Sequence, residues 1–203
     1  MKRIVPVSLA ALMVLSMVGS AWAESGARIM RGGYYISARS GGSALSDILF
    51  TSALDPDISD VNVSLEDAKE RAVAFGFALK DGKVGLEYSV FSVGDGAGAE
   101  FDVSTMMVDG SYEQSFLGPL HYYMGAGIGS IALALEFLGE KDEIQRLAYK
   151  FRGGLLLDLG KAFSANIGYS YLWSCNFNLG TSLGEFSGNF INRGITAGLS
   201  FYF

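Results

Sequence analysis

Hydrophobic and polar positions alternate along most of the chain, most clearly at its carboxyl end. In the final stretch, ITAGLSFYF (residues 195–203), the odd positions are apolar and the even positions are mainly small or polar. Successive side chains of a β-strand point to opposite sides, so this alternation predicts a strand with one apolar face. Such a strand fits a soluble β-sandwich or a membrane barrel whose apolar face meets lipid.

Four of the seven further strand-like segments form two pairs around tight turns. ERAVAFGFALK and KVGLEYSVF flank Asp81-Gly82, a strong hairpin signal between two alternating runs. LAYKFRGGLLLDLG and FSANIGYSYLW flank a turn at Gly160-Lys161. We therefore expect two antiparallel hairpins.

Three segments are less regular. GYYISAR predicts a short strand, and FDVSTMMVDGSY changes phase near Thr105. In PLHYYMGAGIGSIALALEF the apolar positions change parity half-way, so we expect a β-bulge near Gly129. A helix over residues 130–138 is the alternative for this segment.

The eight predicted strands have connections of alternating length. The expected short turns lie near residues 81–82, 114–119 and 159–162, and the longer connections around 40–70, 93–99, 137–145 and 174–190. An even number of antiparallel strands with short turns at one end is typical of outer-membrane barrels. The prediction is an all-β, eight-stranded, up-and-down antiparallel transmembrane barrel with both termini at the periplasmic, short-turn end.

The amino terminus predicts export. Two basic residues precede an apolar run, and the small residues of GSAWA predict cleavage after Ala23, so residues 1–23 are a predicted signal peptide and 24–203 the barrel domain. A retained membrane anchor is the alternative. The formal net charge of −6 argues against a nucleic-acid partner. The 14 Phe and 10 Tyr, with 27 Gly, suit tightly connected strands with aromatic girdles.

Charged residues on the polar faces of the strands distinguish a barrel from a sandwich. They are few, of both signs, and surrounded by small residues, which suits the filled interior of an eight-stranded barrel. The predicted lumen charges are Glu87, Asp109, Lys150 and Arg152. Small residues on other strands make room for bulky inward side chains, including Tyr35, Arg39 and Phe91. Buried charges persist when paired, so we expect the four to meet, either as a polar plug or as an ion path.

Three segments resemble a known family: PLHYYMGAGIGSIA, YKFRGGLLLDLGKAFSANIGYSYLW and GLSFYF. They are similar to the small outer-membrane β-barrels, porin-family surface antigens that include opacity-type proteins and the outer membrane protein A barrel. The resemblance implies location in a Gram-negative outer membrane, contact with lipid and lipopolysaccharide, and a monomer. It also implies that Thr196, Gly198, Phe201 and Phe203 form a terminal signal read by the barrel-assembly machinery. No second domain is expected after Phe203.

Candidate chemistry is sparse. The chain has one His and one Cys, His121 and Cys175, so it lacks a zinc signature. A barrel enzyme that hydrolyses lipid A needs a His to activate its Ser, but His121 lies at the expected periplasmic end, away from the lipid-A leaflet. We therefore expect no enzyme activity, no metal and no cofactor.

The first long connection has one further candidate site. Asp55, Asp57 and Glu66 fall at calcium-loop positions 1, 3 and 12, but Asp60 replaces the required Gly. A solvated acidic loop, which also includes Glu70, is the favoured interpretation. Ser64-x-x-Asp67 predicts a short capped helix there.

The outer loops are where function is expected, because loops carry function in such barrels. The surface-loop candidates are Asp55, Asp57, Asp60, Glu66, Phe177 and Phe186. The leading hypothesis is a structural surface barrel whose loops contact a host or surface ligand. The alternative is a narrow porin for ions and small solutes.

Overall fold

The computed structural model describes residues 33–203 except 46–47, 53–60, 64–67, 93–99, 138–139, 161 and 182–183. The predicted signal peptide lies outside the described residues. So do the calcium-loop candidates Asp55, Asp57, Asp60 and Glu66, and the predicted capped helix at residues 64–67. Among the described residues, no helix is long and apolar enough to cross a membrane.

Eight antiparallel strands close into a barrel, and four short strands form a second sheet. The strands are β1 (Gly33–Leu45), β2 (Ile48–Ser52), β3 (Val61–Val63), β4 (Ala68–Leu79), β5 (Gly82–Ser92), β6 (Glu100–Leu117), β7 (Leu120–Phe137), β8 (Glu140–Asp158), β9 (Phe163–Ser174), β10 (Phe177–Thr181), β11 (Gly184–Gly188) and β12 (Ile191–Tyr202). The barrel runs β1-β12-β9-β8-β7-β6-β5-β4 and closes because β1 also pairs with β4. The second sheet has the order β10-β11-β2-β3. The predicted eight-stranded barrel is confirmed.

The alternating sequence pattern determines which side chains point outward. Along β4, Val73, Phe75 and Phe77 are more than half exposed, whereas the intervening Ala and Gly residues are buried. Aromatic rings gather on the outer wall near the short turns: the Phe163 and Phe201 ring centroids are 4.9 Å apart. Closure leaves no open edge within the barrel, which an apolar surround requires.

The predicted short turns are confirmed and define the short-turn end of the barrel. β4 and β5 are joined at Lys80-Asp81, and β6 and β7 at Gly118-Pro119. Gly118 has φ of 55°, a left-handed conformation that favours glycine. Gly160, between β8 and β9, also has positive φ.

The longer connections differ from the expectation of irregular loops. Those around residues 40–70 and 174–190 contain β2, β3, β10 and β11, which pair with each other across the opposite end of the barrel. In the connection predicted at residues 137–145, β7 and β8 stay paired up to Phe137 and Glu140, so this stretch is mostly strand. The second sheet forms by backbone pairing between connections that are distant in sequence, so local residue patterns do not predict it.

The predicted bulge near Gly129 is wrong. The β6–β7 register is continuous from Glu100 to Ser115, and the irregularity lies between Ser115 and Leu117. The alternative of a helix over residues 130–138 is also wrong, because β7 extends through Phe137. Ile131 and Leu133 instead point into the barrel and are fully buried. The change of parity marks a change in the lumen from polar to apolar.

The same explanation applies to β6. Val103, Thr105, Met107 and Asp109 are all buried on one face, so the strand keeps a single phase through Thr105. The sequence suggested a phase change because Val103 and Met107 are apolar residues that face inward.

Candidate functional site

The centre of the barrel lumen holds a cluster of charges around Glu87. This carboxylate, on β5, accepts hydrogen bonds from Arg39 on β1, from Lys150 on β8 and from Arg152 on β8. The Lys150 Nζ to Glu87 Oε1 distance is 2.8 Å, and the Arg152 Nη1 to Glu87 Oε2 distance is 3.3 Å. Two strands thus direct three cations at one buried acid.

Two further acids complete the cluster. Lys150 Nζ donates to Glu70 Oε1 on β4 at 2.5 Å, and Arg152 Nη2 donates to Asp109 Oδ1 on β6. We call the six residues Arg39, Glu70, Glu87, Asp109, Lys150 and Arg152 the lumen network. Three cations match three carboxylates, which is the condition under which buried charges persist.

The structure brings together the four charges predicted from sequence, and it adds two. Arg39 was expected in the lumen but not in the network. Glu70 was assigned to the acidic loop, and that assignment is wrong: it is 2% exposed and bound to Lys150. The parity of β4 was the available signal, because Glu70 shares its face with the buried residues Ala72 and Ala74.

Glycines opposite the network provide its space. A Cβ added to Gly125 would lie 2.9 Å from Arg152 Nε, and one added to Gly127 would lie 3.2 Å from Asp109 Oδ2. Gly198 lies directly against the stem of Arg39. The small residues on some strands therefore make room for the long ones on others, as the sequence predicted.

The lumen nearer the short-turn end contains a second ion pair. Lys83 Nζ lies 3.2 Å from Glu113 Oε1 and 4.9 Å from the centroid of the Tyr202 ring. A cavity of about 30 Å³ separates this pair from the lumen network. It has room for only about two water molecules.

The lumen nearer the opposite end is mainly apolar, although it also buries the polar side chains of Ser43, Thr105, Ser174 and Asn192. Its buried apolar side chains include Phe91, Met107, Ile131, Leu133, Ala148, Leu172 and Phe190. The rings of Phe91 and Phe190 meet edge to face with centroids 5.8 Å apart. Among the described residues, a mainly apolar layer of buried side chains therefore lies above the lumen network.

The predicted surface-loop aromatics are only partly placed. Phe177, a surface-loop candidate, is 1% exposed and therefore buried, on a strand that contacts β8. Phe186 lies on β11 with its backbone paired to Phe50, and its side chain lies outside the described part of the chain.

The carboxyl terminus is held in place by the strand that closes the barrel. The Tyr34 N–H donates to the Phe203 carbonyl at 2.9 Å, and the Phe203 N–H donates to the Tyr34 carbonyl at 3.0 Å. The side chains of Phe201 and Phe203 point outward, whereas Thr196 is buried and Gly198 faces the lumen. The predicted assembly signal thus has its two aromatics on the outer wall.

Two of the residues considered for chemistry, His121 and Cys175, lie within the described part of the chain. His121 Nε2 lies 2.9 Å from Asp158 Oδ2 at the short-turn end. Cys175 is partly exposed and in no disulfide. Among the described side chains, no group of three or more His, Cys, Asp or Glu is arranged to hold a metal ion.

Solved structures share this architecture. The chain has a TM-score of 0.64 to Neisserial surface protein A, with 14% sequence identity over 84% of this chain and 97% of that one. Its fold is that of the small outer-membrane β-barrels. The outer membrane protein OprG of Pseudomonas aeruginosa gives a TM-score of 0.50 and 13% identity, over 86% of this chain and 99% of that barrel. No protein-family model and no curated protein matches the sequence.

Proposed function

We propose that the protein is an integral barrel of a Gram-negative outer membrane, with a plugged lumen and a surface role carried by its outer connections. The outer-membrane-type fold and the band of exposed apolar side chains support this location. The short-turn end then faces the periplasm, and the second sheet faces outward.

The observation that carries the proposal is the filling of the lumen. An ion crossing the barrel would have to separate the charges of the lumen network and then pass the apolar layer of Met107, Ile131 and Leu133. An eight-stranded barrel is just wide enough for side chains to fill, and the buried side chains at both levels support a plug. A structural plug therefore fits better than an ion path.

The outer part of the chain supports a binding role. Four strands from two separate connections pair into one sheet, with Phe186 opposite Phe50 and Ser187 opposite Leu49 in register. Backbone pairing gives these connections a defined shape, which a surface for a host or other ligand requires. The acidic residues of the first connection favour a basic protein partner. Catalysis forms no part of this proposal.

Single-channel conductance in planar bilayers tests the plug. We expect the refolded wild-type barrel to give no stable conductance steps, although its heat-modifiable migration on gels shows that it is folded. The Lys150→Ala/Arg152→Ala variant removes two cations from the lumen network, and Lys80→Ala at the periplasmic turn is its control.

Stable conductance steps in wild type would overturn the plug, and a change of those steps in the double variant but not in Lys80→Ala would establish the narrow porin. The decisive measurement is made on wild type, so a double variant that fails to fold leaves the test intact.

A further inference from the structure

The outer face of β1 loses bulk towards its extracellular end. Its outward residues are Tyr34, Ile36, Ala38, Ser40, Gly42 and Ala44, in order from the short-turn end. The first two are large and about half exposed, and the last four are small. The outer wall of the barrel is therefore indented along the upper half of this strand.

This indentation is an open groove of about 860 Å³. Ala38 and Ser40 form its floor together with Ala165 on β9 and Ala197 on β12. The outward side chains that line the rest of it include Val73, Tyr88, Val90 and Leu199. We call it the β1 groove; its size and apolar lining suit a hydrocarbon chain.

Three cations stand on the outer wall beside the upper part of the β1 groove. Arg71 on β4 is paired in register with Ser40 and also lines the groove, and Lys69 on β4 is paired with Gly42. On the other flank, Arg193 of β12 is paired with Ala44. Cations thus lie on both sides of a strip of small residues.

These cations have no partner within the described protein. Lys69, Arg71 and Arg193 are exposed and form no ion pair with any described side chain. One described outward acid on this side is Asp102, which pairs in register with Ser92, one strand beyond Lys69. In a chain of net charge −6, a cationic patch that pairs with no described side chain, above an apolar groove, calls for an anionic ligand with a hydrocarbon part.

We propose that the β1 groove and the cations Lys69, Arg71 and Arg193 form a binding site for lipopolysaccharide. The phosphates of the lipid accept charge-assisted hydrogen bonds from the two Arg and the Lys, and an acyl chain lies along Ser40 and Ala38. The site rests on the proposed outer-membrane location, because that location puts the cations in the outer leaflet. Glycerophospholipids carry fewer phosphates to match three cations.

Binding is measured on the folded protein in detergent by native mass spectrometry, titrated with lipopolysaccharide that lacks the O-polysaccharide. We expect one tightly bound molecule on wild type. The Lys69→Ala/Arg71→Ala/Arg193→Ala variant should bind about 100-fold more weakly, at roughly 1 kcal/mol per cation. Lys80→Ala, a cation at the other end of the barrel, should bind like wild type.

A second variant tests the strip of small residues that runs between the cations above the groove. A Cβ added to Gly42 meets no atom within 4 Å, so Gly42→Leu can fold, and its side chain would occupy the strip between the cations. We expect weaker binding of lipopolysaccharide although all three cations remain. Dephosphorylated lipopolysaccharide should bind wild type as weakly as the intact lipid binds the triple variant.

Equal affinity of wild type and the triple variant would overturn the proposal. Binding of phosphatidylglycerol or inorganic phosphate as tight as that of lipopolysaccharide would also overturn it, because the site would then be a general anion site. A wild-type dimer that Gly42→Leu disperses would overturn it too, because the groove would then belong to an interface with a second copy. Failure of the proposed location is separate, since it would appear as absence of the protein from outer-membrane fractions whatever the lipid affinity.

Discussion

Lys150 Nζ lies 2.5 Å from Glu70 Oε1, although 80 residues separate the two in sequence. Both side chains are fully buried, and the same Nζ lies 2.8 Å from Glu87 Oε1. One cation thus joins β8 to β4 and β5 on the far side of the barrel. The interaction couples strands that share no backbone hydrogen bond.

Replacing Lys150 with Met should destabilise the barrel by about 3–5 kcal/mol, because Glu70 and Glu87 would remain buried near each other without this cation. Urea unfolding in lipid vesicles measures the change. Adding Glu70→Gln should restore part of the loss, since it removes one unpaired carboxylate. A Lys150→Met barrel as stable as the Lys80→Met control would contradict this assignment.

The lack of space beside Arg152 should make substitution of Gly125 by a larger residue destabilising. An added methyl group would lie 2.9 Å from both Arg152 Nε and the Gly110 carbonyl oxygen, so Gly125→Ala should cost about 1–3 kcal/mol in unfolding free energy. Gly42→Ala is the matched control, because its methyl group meets no atom within 4 Å. Equal unfolding free energies for the two variants would contradict this prediction, because they would show that the neighbouring lumen groups shift to accommodate the added methyl group.

Deletion of Phe203 should lower the amount of assembled protein in the outer membrane without preventing secretion. The deletion removes the proposed terminal signal and the two backbone hydrogen bonds to Tyr34. Quantitative fractionation with gel-shift detection measures assembly. Phe163→Ala, which removes another outward aromatic at the same end, should assemble normally. Normal assembly without Phe203 would exclude the terminal signal.

The proposed orientation can be tested by cysteine labelling of intact cells. In a Cys175→Ser background, Asn178→Cys on β10 should react with a membrane-impermeant maleimide, because this exposed position lies at the outer end. Asp81→Cys, exposed at a short turn, should react only after lysis. The reverse labelling pattern would invert the barrel.

The strands, and the side of the barrel wall to which their side chains point, were predictable where one periodicity held throughout the segment. The outward row of β12 follows from alternation, and the β4–β5 hairpin follows from alternation together with a local turn signal, although its turn lies at Lys80-Asp81, one residue before the predicted Asp81-Gly82. Ile131 and Leu133 were predicted to face outward, because an apolar side chain inside a barrel and one outside it give the same local pattern. Glu70 was misplaced for a related reason: its location depends on Lys150, which the local sequence does not include.

The sequence by itself determined the number of barrel strands, the short turns and the outward apolar face, because alternation and turn residues act within a few positions. The tertiary structure decided the partners of Glu70 and Arg39, the apolar layer of the lumen, the second sheet and the cations flanking β1. Each of these depends on the register at which strands distant in sequence meet. Register follows from closure of the whole barrel, so a segment read alone does not contain it.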